Sequence, residues 1–196
     1  RDDVESRGLG DVYKRQVLRE TQLVVCLLFQ YAGMSFVDFA HLKERNIKNG
    51  ILDYNRQKTG TPMRLEILDT AELMRKELMG DKRPASGYLF PFLSGTKTGY
   101  EAYLEYNAAL SRFNRNLKAL KKAAGIASDV TSYTIRHSFA MALKEQNVPI
   151  EMISELLGHK SIKTTQIYLR SFSLEKMTEV NSTCFGCVYN YVSKVG

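Results

Sequence analysis

The stretch from Thr131 to Tyr168, TSYTIRHSFAMALKEQNVPIEMISELLGHKSIKTTQIY, constrains the fold more than any other part of the chain. Its apolar residues recur at helical spacing, but Asn147-Val148-Pro149 and Gly158 interrupt them, so it cannot be one long helix. It reads instead as three short helices joined by tight turns. Ser132 is the predicted N-cap of the first. Pro149 suits the first position of the second, which Gly158 ends. Ser161 caps the third. Helices folded back in this way bring Arg136 and His137, on the first, close to His159, just past the glycine, and to Tyr168, on the third. Arginine, histidine and lysine hold phosphates, and tyrosine is an oxygen nucleophile that can be covalently phosphorylated. Singly, each residue also fits a structural role: a helix cation, a core histidine, a polar residue at a helix end, a packing aromatic. Their joint occurrence points to phosphate chemistry.

Composition narrows the class. A chain of 196 residues with 44% apolar content can bury a proper core, in one sizeable domain or two small ones. The formal charge of +7 favours an anionic partner without identifying it. No apolar run reaches the roughly 18 to 20 residues that span a bilayer, and the charged N-terminus is no signal peptide, so neither a membrane nor an export route is expected. Three cysteines make no disulfide framework. Cys184 and Cys187 form a lone CxxC with no second pair and no nearby histidine, so no metal site is expected. These features suit a reducing cytoplasm.

Residues 1–16 alternate charges and glycines without period, and Asp11-Val12-Tyr13-Lys14-Arg15-Gln16 resembles a translated sequencing-library adapter. They are expected to be a non-native leader or a disordered linker. From Val17 a helical face appears through Leu18, Leu23, Val24, Leu27 and Leu28, and Gly33 breaks it. Ser35 is the expected N-cap of a second helix with Asp38 in its first turn. Ile51 to Asn55, then the turn Lys58-Thr59-Gly60-Thr61, then the alternation of Met63, Leu65 and Ile67 spell a β-hairpin with Lys58 at or beside its tip. Ala71 to Leu78 is a short helix and Ser94 to Gly99 a loop. Ala102 to Ala124 is a long helix with Leu110, Phe113, Leu117 and Leu120 facing inward. Its Arg112, Arg115, Lys118, Lys121 and Lys122 recur every three or four residues, a positive stripe without acidic partners that suits phosphates, although a solvated helix face reads the same way. Residues 173–180 form a further predicted helix. The fold class is mainly α with a small antiparallel β-sheet (α+β).

Arg136-His137, then Leu156-Leu157-Gly158-His159, then Thr164-Thr165-Gln166-Ile167-Tyr168 resemble the signature of tyrosine recombinases, the phage integrase family. The resemblance covers about residues 17–180. Gly33-Met34-Ser35-Phe36-Val37-Asp38 is similar to integrases of conjugative and mobilisable elements. The resemblance implies the catalytic-domain fold of DNA breaking-rejoining enzymes over residues 17–181, with 182–196 as a C-terminal tail. It implies a site-specific recombinase that cleaves and rejoins double-stranded DNA through a 3′-phosphotyrosyl intermediate, without cofactor or metal. Tyr168 would be the nucleophile, Arg136 the second active-site arginine, and Lys58 the proton donor to the leaving 5′ oxygen. His159 would bond the phosphate, His137 would support Arg136, and Asp38 falls at the family's acidic position. Arg112, Arg115, Lys118 and Lys122 would meet the DNA backbone. A homotetramer on DNA, with residues 173–196 docking on a neighbour, is implied for the full-length protein.

Two positions depart from the family pattern. Ser35 stands where the first active-site arginine is usual, and Tyr133 where a histidine usually precedes the second. Serine cannot neutralise charge, and losing one such donor typically costs about a hundredfold or more in rate. Arg45, Arg56 and Arg64 are the candidates to supply the missing charge, and Tyr133 retains a hydroxyl donor. The alternatives are a truncated, catalytically impaired DNA-binding remnant and a topoisomerase-like nicking-closing enzyme.

Overall fold

The computed structural model describes residues 2–82 and 87–170, with side chains for 12–82, 87–167 and 169. In chain order it contains α1 (Asp2–Gln30), α2 (Phe36–Ala40), a 3₁₀ turn (Glu44–Asn46), β1 (Ile47–Lys48), β2 (Ile51–Asn55), β3 (Pro62–Glu66), α3 (Asp69–Met79), α4 (Gly99–Ala123), α5 (Ser132–Glu145), α6 (Ile150–Leu156) and α7 (Ile162–Arg170). The expected class, mainly helical with one small antiparallel sheet, is what the chain adopts.

The sheet is an antiparallel meander in the order β1-β2-β3. Leu52 pairs with Leu65 and Tyr54 with Met63, so the apolar side of the alternation faces the core while Asp53 and Arg64 pair on the wet side. Gly60, at φ 66°, makes the turn, and its N–H donates to Arg56 O at 2.8 Å. The two-residue strand β1 was too short for a periodicity signal, and Ile67 falls just beyond β3.

Most of the core lies where α1 and α2 meet α4 and the sheet. Leu23, Leu27, Leu28, Tyr31, Met34, Phe36, Phe39, Leu52, Phe113 and Leu117 are buried in it. Phe36 stacks on Phe113 with centroids 4.6 Å apart, and Phe39 on Phe90 at 4.1 Å. A second, smaller cluster of Ala140, Met141, Ile153, Leu157 and Leu169 joins α5, α6 and α7. Among the described residues Leu169 ties α7 into this cluster, and burying such a leucine contributes about 2 kcal/mol.

The ends of several elements correct the sequence expectations. The first helix does not begin at Val17: it runs back to Asp2, through residues expected to lack regular structure. Residues 12–16 are exposed, Val12 and Tyr13 included. Residues 12–16 pack no apolar face, no apolar period announces this run in the sequence, and it extends a helix already nucleated by its buried half. Ser132 is not the N-cap of α5. Thr131 is: its Oγ1 accepts from Thr134 N at 3.3 Å while Thr134 Oγ1 accepts from Thr131 N at 3.2 Å. Both donors are satisfied reciprocally, and Ser132 N is taken by Asn114 Oδ1 on α4 at 2.9 Å. Pro149 stands at the N-cap of α6 rather than in its first turn. Ser161 caps α7 as expected, its hydroxyl accepting from Lys163 N at 3.3 Å. The predicted helix over 173–180, Cys184, Cys187 and the tail 182–196 lie outside the described residues. Cys26 is free and buried, its thiol pushed up to about 12 by burial and so held as the inert protonated form. Among the described residues no helix is long and apolar enough to cross a membrane.

Candidate active site

The site is built where α5 meets the turn after α6. Arg136 is on α5 and buried. Its Nη1 donates to Gly33 O at 2.8 Å and its Nη2 to Leu157 O. One guanidinium therefore ties the α1–α2 junction and the end of α6 to α5. Gly33 permits this: at φ 63°, an added Cβ would sit 2.8 Å from Cδ1 of Phe139, on the same helix as Arg136. Hydrogen bonds to a charged group contribute roughly 1.5–3 kcal/mol each.

A second buried guanidinium reaches the next carbonyl. Arg56 leaves the end of β2 and donates from Nη1 to Gly158 O at 3.0 Å. The two arginines, 80 positions apart in sequence, thus grip consecutive carbonyls of the Leu157-Gly158 turn. Gly158 is required twice. Its φ is 60°, and a Cβ there would lie 2.7 Å from Arg56 Cδ and 2.5 Å from Met63 Sδ. Arg56 Nε faces Asp38 Oδ2 at 3.5 Å, an ion-pair distance too long for a good hydrogen bond, and Nε has no hydrogen-bond partner among the described residues.

Asp38, buried in the first turn of α2, organises the near side of the pocket. Its Oδ1 accepts from Gln57 N at 2.7 Å and its Oδ2 from Ser35 Oγ at 2.5 Å. Ser35 stands at the N-cap of α2 but makes no capping bond, because its hydroxyl is spent on Asp38. The Gln57 bond pins the start of the hairpin turn, and Lys58 follows directly, exposed. Tyr54, buried on β2, lies in the same field: burial first, then Asp38, raise its hydroxyl, while Arg136 and Arg56 oppose them.

His159 follows Gly158, half-buried, with Nδ1 2.8 Å from Thr165 Oγ1 on α7. Burial pushes its ring down to about 4, and Arg136 and Arg56 push the same way. His137, buried beside Arg136, is also pushed down to about 4, by burial and then by Arg136. Both rings are neutral at pH 7. Among the described residues, two guanidiniums and one carboxylate meet here, and these groups together carry an excess positive charge in a partly desolvated place. An anion placed there would relieve it.

The structure thus brings together Arg136, His137, His159, Asp38 and Ser35 of the expected residues. Of the three arginines proposed to replace the one missing at Ser35, only Arg56 is in the pocket; Arg45 and Arg64 are exposed. Tyr133 is exposed, and its ring packs edge-on against His137 with centroids 4.3 Å apart. Tyr168 lies in α7, and its side chain is outside the described set. Arg112, Arg115, Lys118 and Lys122 are exposed along α4, but Lys121 departs from the expected stripe: it is half-buried and pairs with Asp129 at 3.1 Å. Thr165, Gln57 and Tyr54 were missed. A signal existed for Thr165 alone, which shares helical spacing with the buried Leu169. Among the described residues no cluster could hold a metal ion.

Comparison with known proteins gives the same reading. The phage integrase family matches residues 7–175. The tyrosine recombinase XerD of Lacticaseibacillus casei is 52% identical over 54 residues, which cover 28% of this chain and 18% of that protein. The tyrosine recombinase XerC of Rickettsia typhi (strain ATCC VR-144 / Wilmington) is 41% identical over 75 residues, 38% of this chain and 24% of that protein. The matched segments thus span a quarter or less of these relatives. Among solved structures, XerA recombinase superposes with a TM-score of 0.59 at 22% identity, covering 86% of this chain and 62% of that one. The Tn1549 transposon integrase, in complex with a circular intermediate DNA, superposes with a TM-score of 0.57 at 15% identity, covering 79% and 55%. These superpositions establish the fold, and the family match extends over most of the chain: it belongs to the phage integrase family and carries the catalytic-domain fold of the tyrosine recombinases.

Proposed function

We propose that the chain is the catalytic domain of a site-specific DNA recombinase that cleaves and rejoins DNA through a 3′-phosphotyrosyl intermediate. The observation that carries this reading is the pair of buried guanidiniums, Arg56 and Arg136, held on consecutive carbonyls beside a neutral His159. Phosphodiester attack concentrates charge on the non-bridging oxygens, and fixed guanidinium donors compensate it without reorganising. Tyr168 attacks phosphorus, the tyrosyl–phosphate bond forms and the bond to the 5′ oxygen breaks. The tyrosine oxygen loses a proton and the leaving oxygen gains one, with Lys58 as its donor. His159 hydrogen-bonds the phosphate, and His137 packs behind Arg136. Asp38 orients Arg56 and the start of the Lys58 turn. Arg56 supplies the charge that Ser35 lacks. Tyr133 serves as support for His137, in place of the phosphate contact its hydroxyl suggested. The bond energy stays in the covalent intermediate, so no ATP, cofactor or metal is needed.

Arg112, Arg115, Lys118 and Lys122 bind the DNA backbone, with the steep salt dependence of phosphate contacts. Asn114 couples this face to the pocket, since it holds the first residue of α5. The full-length protein works in the cytoplasm as a homotetramer on DNA, by analogy with its family. A second reading, a DNA-binding remnant that no longer cleaves, is favoured by the serine at 35.

A nicked suicide duplex carrying the attachment-site repeat separates the two. A covalent protein–DNA adduct that disappears in Tyr168→Phe supports cleavage. Salt-sensitive binding without adduct supports the remnant. Recombinant junctions from two intact sites distinguish a recombinase from a nicking-closing enzyme.

A further inference from the structure

The Thr165 hydroxyl is fully buried, at 0% exposure. Its hydrogen bond to His159 Nδ1, at 2.8 Å, is the only one it makes among the described residues. A helical threonine often turns its hydroxyl back to the carbonyl four residues earlier; here, among the described residues, it makes no bond to Ser161 O. A buried O–H must find an acceptor. If His159 carried its proton on Nδ1, the ring would donate to Thr165 and the threonine proton would be stranded. If Nδ1 is the bare nitrogen, the hydroxyl donates to it and both groups are satisfied. The second arrangement puts the ring proton on Nε2, because a neutral imidazole has one N–H, and the bond at one nitrogen fixes the role of the other.

The neighbourhood keeps the ring neutral, since burial and the two guanidiniums oppose its protonation. A neutral Nε2–H ring can still donate a hydrogen bond to an anionic oxygen, whereas a neutral Nδ1–H ring would offer that oxygen a lone pair. Thr165 also links two elements. It belongs to α7, three residues before Tyr168, while His159 belongs to the turn gripped by Arg56 and Arg136. Among the described residues the apolar cluster fastening α7 is small, and helices held by few contacts open locally at low cost.

We propose that Thr165 is a positioning residue: its hydroxyl donates to His159 Nδ1, fixes His159 as an Nε2–H donor to the scissile DNA phosphate, and makes that orientation conditional on the docking of α7. This rests on the phosphodiester-cleavage reading of the pocket. The helix that carries the nucleophile and the histidine that bonds the phosphate are then set by one hydrogen bond, so an undocked α7 leaves His159 without its tautomer bias.

The test uses the full chain, 15N-labelled, with the His159 imidazole signals identified by their loss in His159→Gln. At pH 7 the wild type is expected to show protonated Nε2 and bare Nδ1. Thr165→Val, which keeps the shape and removes the donor, should give a mixture of tautomers; Thr165→Ser should restore the bias. On the nicked suicide duplex, Thr165→Val should cleave about tenfold more slowly, the scale of one hydrogen bond, and Thr165→Ser should recover most of that loss. An Nδ1–H tautomer in the wild type overturns the proposal, and that measurement needs no variant to fold. So does a valine variant with the wild-type tautomer, or one that forms adduct at the wild-type rate. If the wild type shows the Nε2–H tautomer but never forms adduct, the cleavage reading fails while the hydrogen-bond assignment stands.

Discussion

Two regions of this molecule are rich in positive charge, and they treat it in opposite ways. Along α4, Arg112, Arg115, Lys118 and Lys122 are exposed. Water and salt screen them, so they add little to stability and are interchangeable as counterion-releasing contacts. In the pocket, Arg56 and Arg136 are buried and bonded to main-chain carbonyls, and Asp38 lies at ion-pair distance from Arg56. There each charge has a fixed direction, and removing it strands acceptors. The same residue type thus supplies long-range attraction in one place and oriented chemistry in the other. Burial makes the difference.

The largest test of this contrast is Arg136→Ala. It leaves Gly33 O and Leu157 O without their donor, so a loss of roughly 2–4 kcal/mol of stability is expected, together with at least about a hundredfold loss of cleavage. Denaturant midpoints and suicide-substrate rates measure the two. Arg56→Ala follows, with about a hundredfold slower cleavage and a smaller stability loss, while Arg45→Ala and Arg64→Ala stay near wild type. Equal rates for all three would remove Arg56 from the site. Gly158→Ala should cost about 1–2 kcal/mol for its left-handed backbone and displace Arg56, so that a crystal structure would show the guanidinium moved off Gly158 O.

The pH response sharpens the comparison next. The folded values of His137 and His159, about 4, lie below the ordinary 6.5. Between these limits the unfolded chain binds more protons, so stability rises with pH across that window and falls as pH drops from 6.5 towards 4. A loss on the order of 1–3 kcal/mol for the pair is expected, discounted for the half-exposed His159. His137→Gln should flatten the slope measured by urea unfolding at successive pH values. The stripe gives the smallest effect: Lys118→Ala or Arg115→Ala should change stability by less than about 0.5 kcal/mol and lower the salt slope of DNA binding by about one unit each.

How much of this was legible in the sequence depends on the range of the interaction. The hairpin could be read because Lys58-Thr59-Gly60-Thr61 sits between alternating residues that pair as expected. The helices of the Arg136–Tyr168 stretch were legible for the same local reasons, down to a cap displaced by one residue from Ser132 to Thr131. The helical run before Val17 was not, because its charges and glycines show no apolar period in the sequence. Lys121 looked like its stripe neighbours because helical spacing cannot reveal a carboxylate that arrives from beyond Gly125.

By itself the sequence determined the order of the longer elements, from the buried half of α1 through the β2–β3 hairpin to α7, the basic face of α4 and the motif residues Arg136, Gly158 and His159, since each is a local pattern of spacing, capping or turn chemistry. Only the tertiary structure decided that Arg56, rather than Arg45 or Arg64, shares the pocket, that Asp38 binds both Ser35 and the turn before Lys58, and that Thr165 meets His159. Those choices depend on which carbonyls and hydroxyls lose their water when distant segments pack together, and burial is a property of the assembled chain rather than of any one stretch.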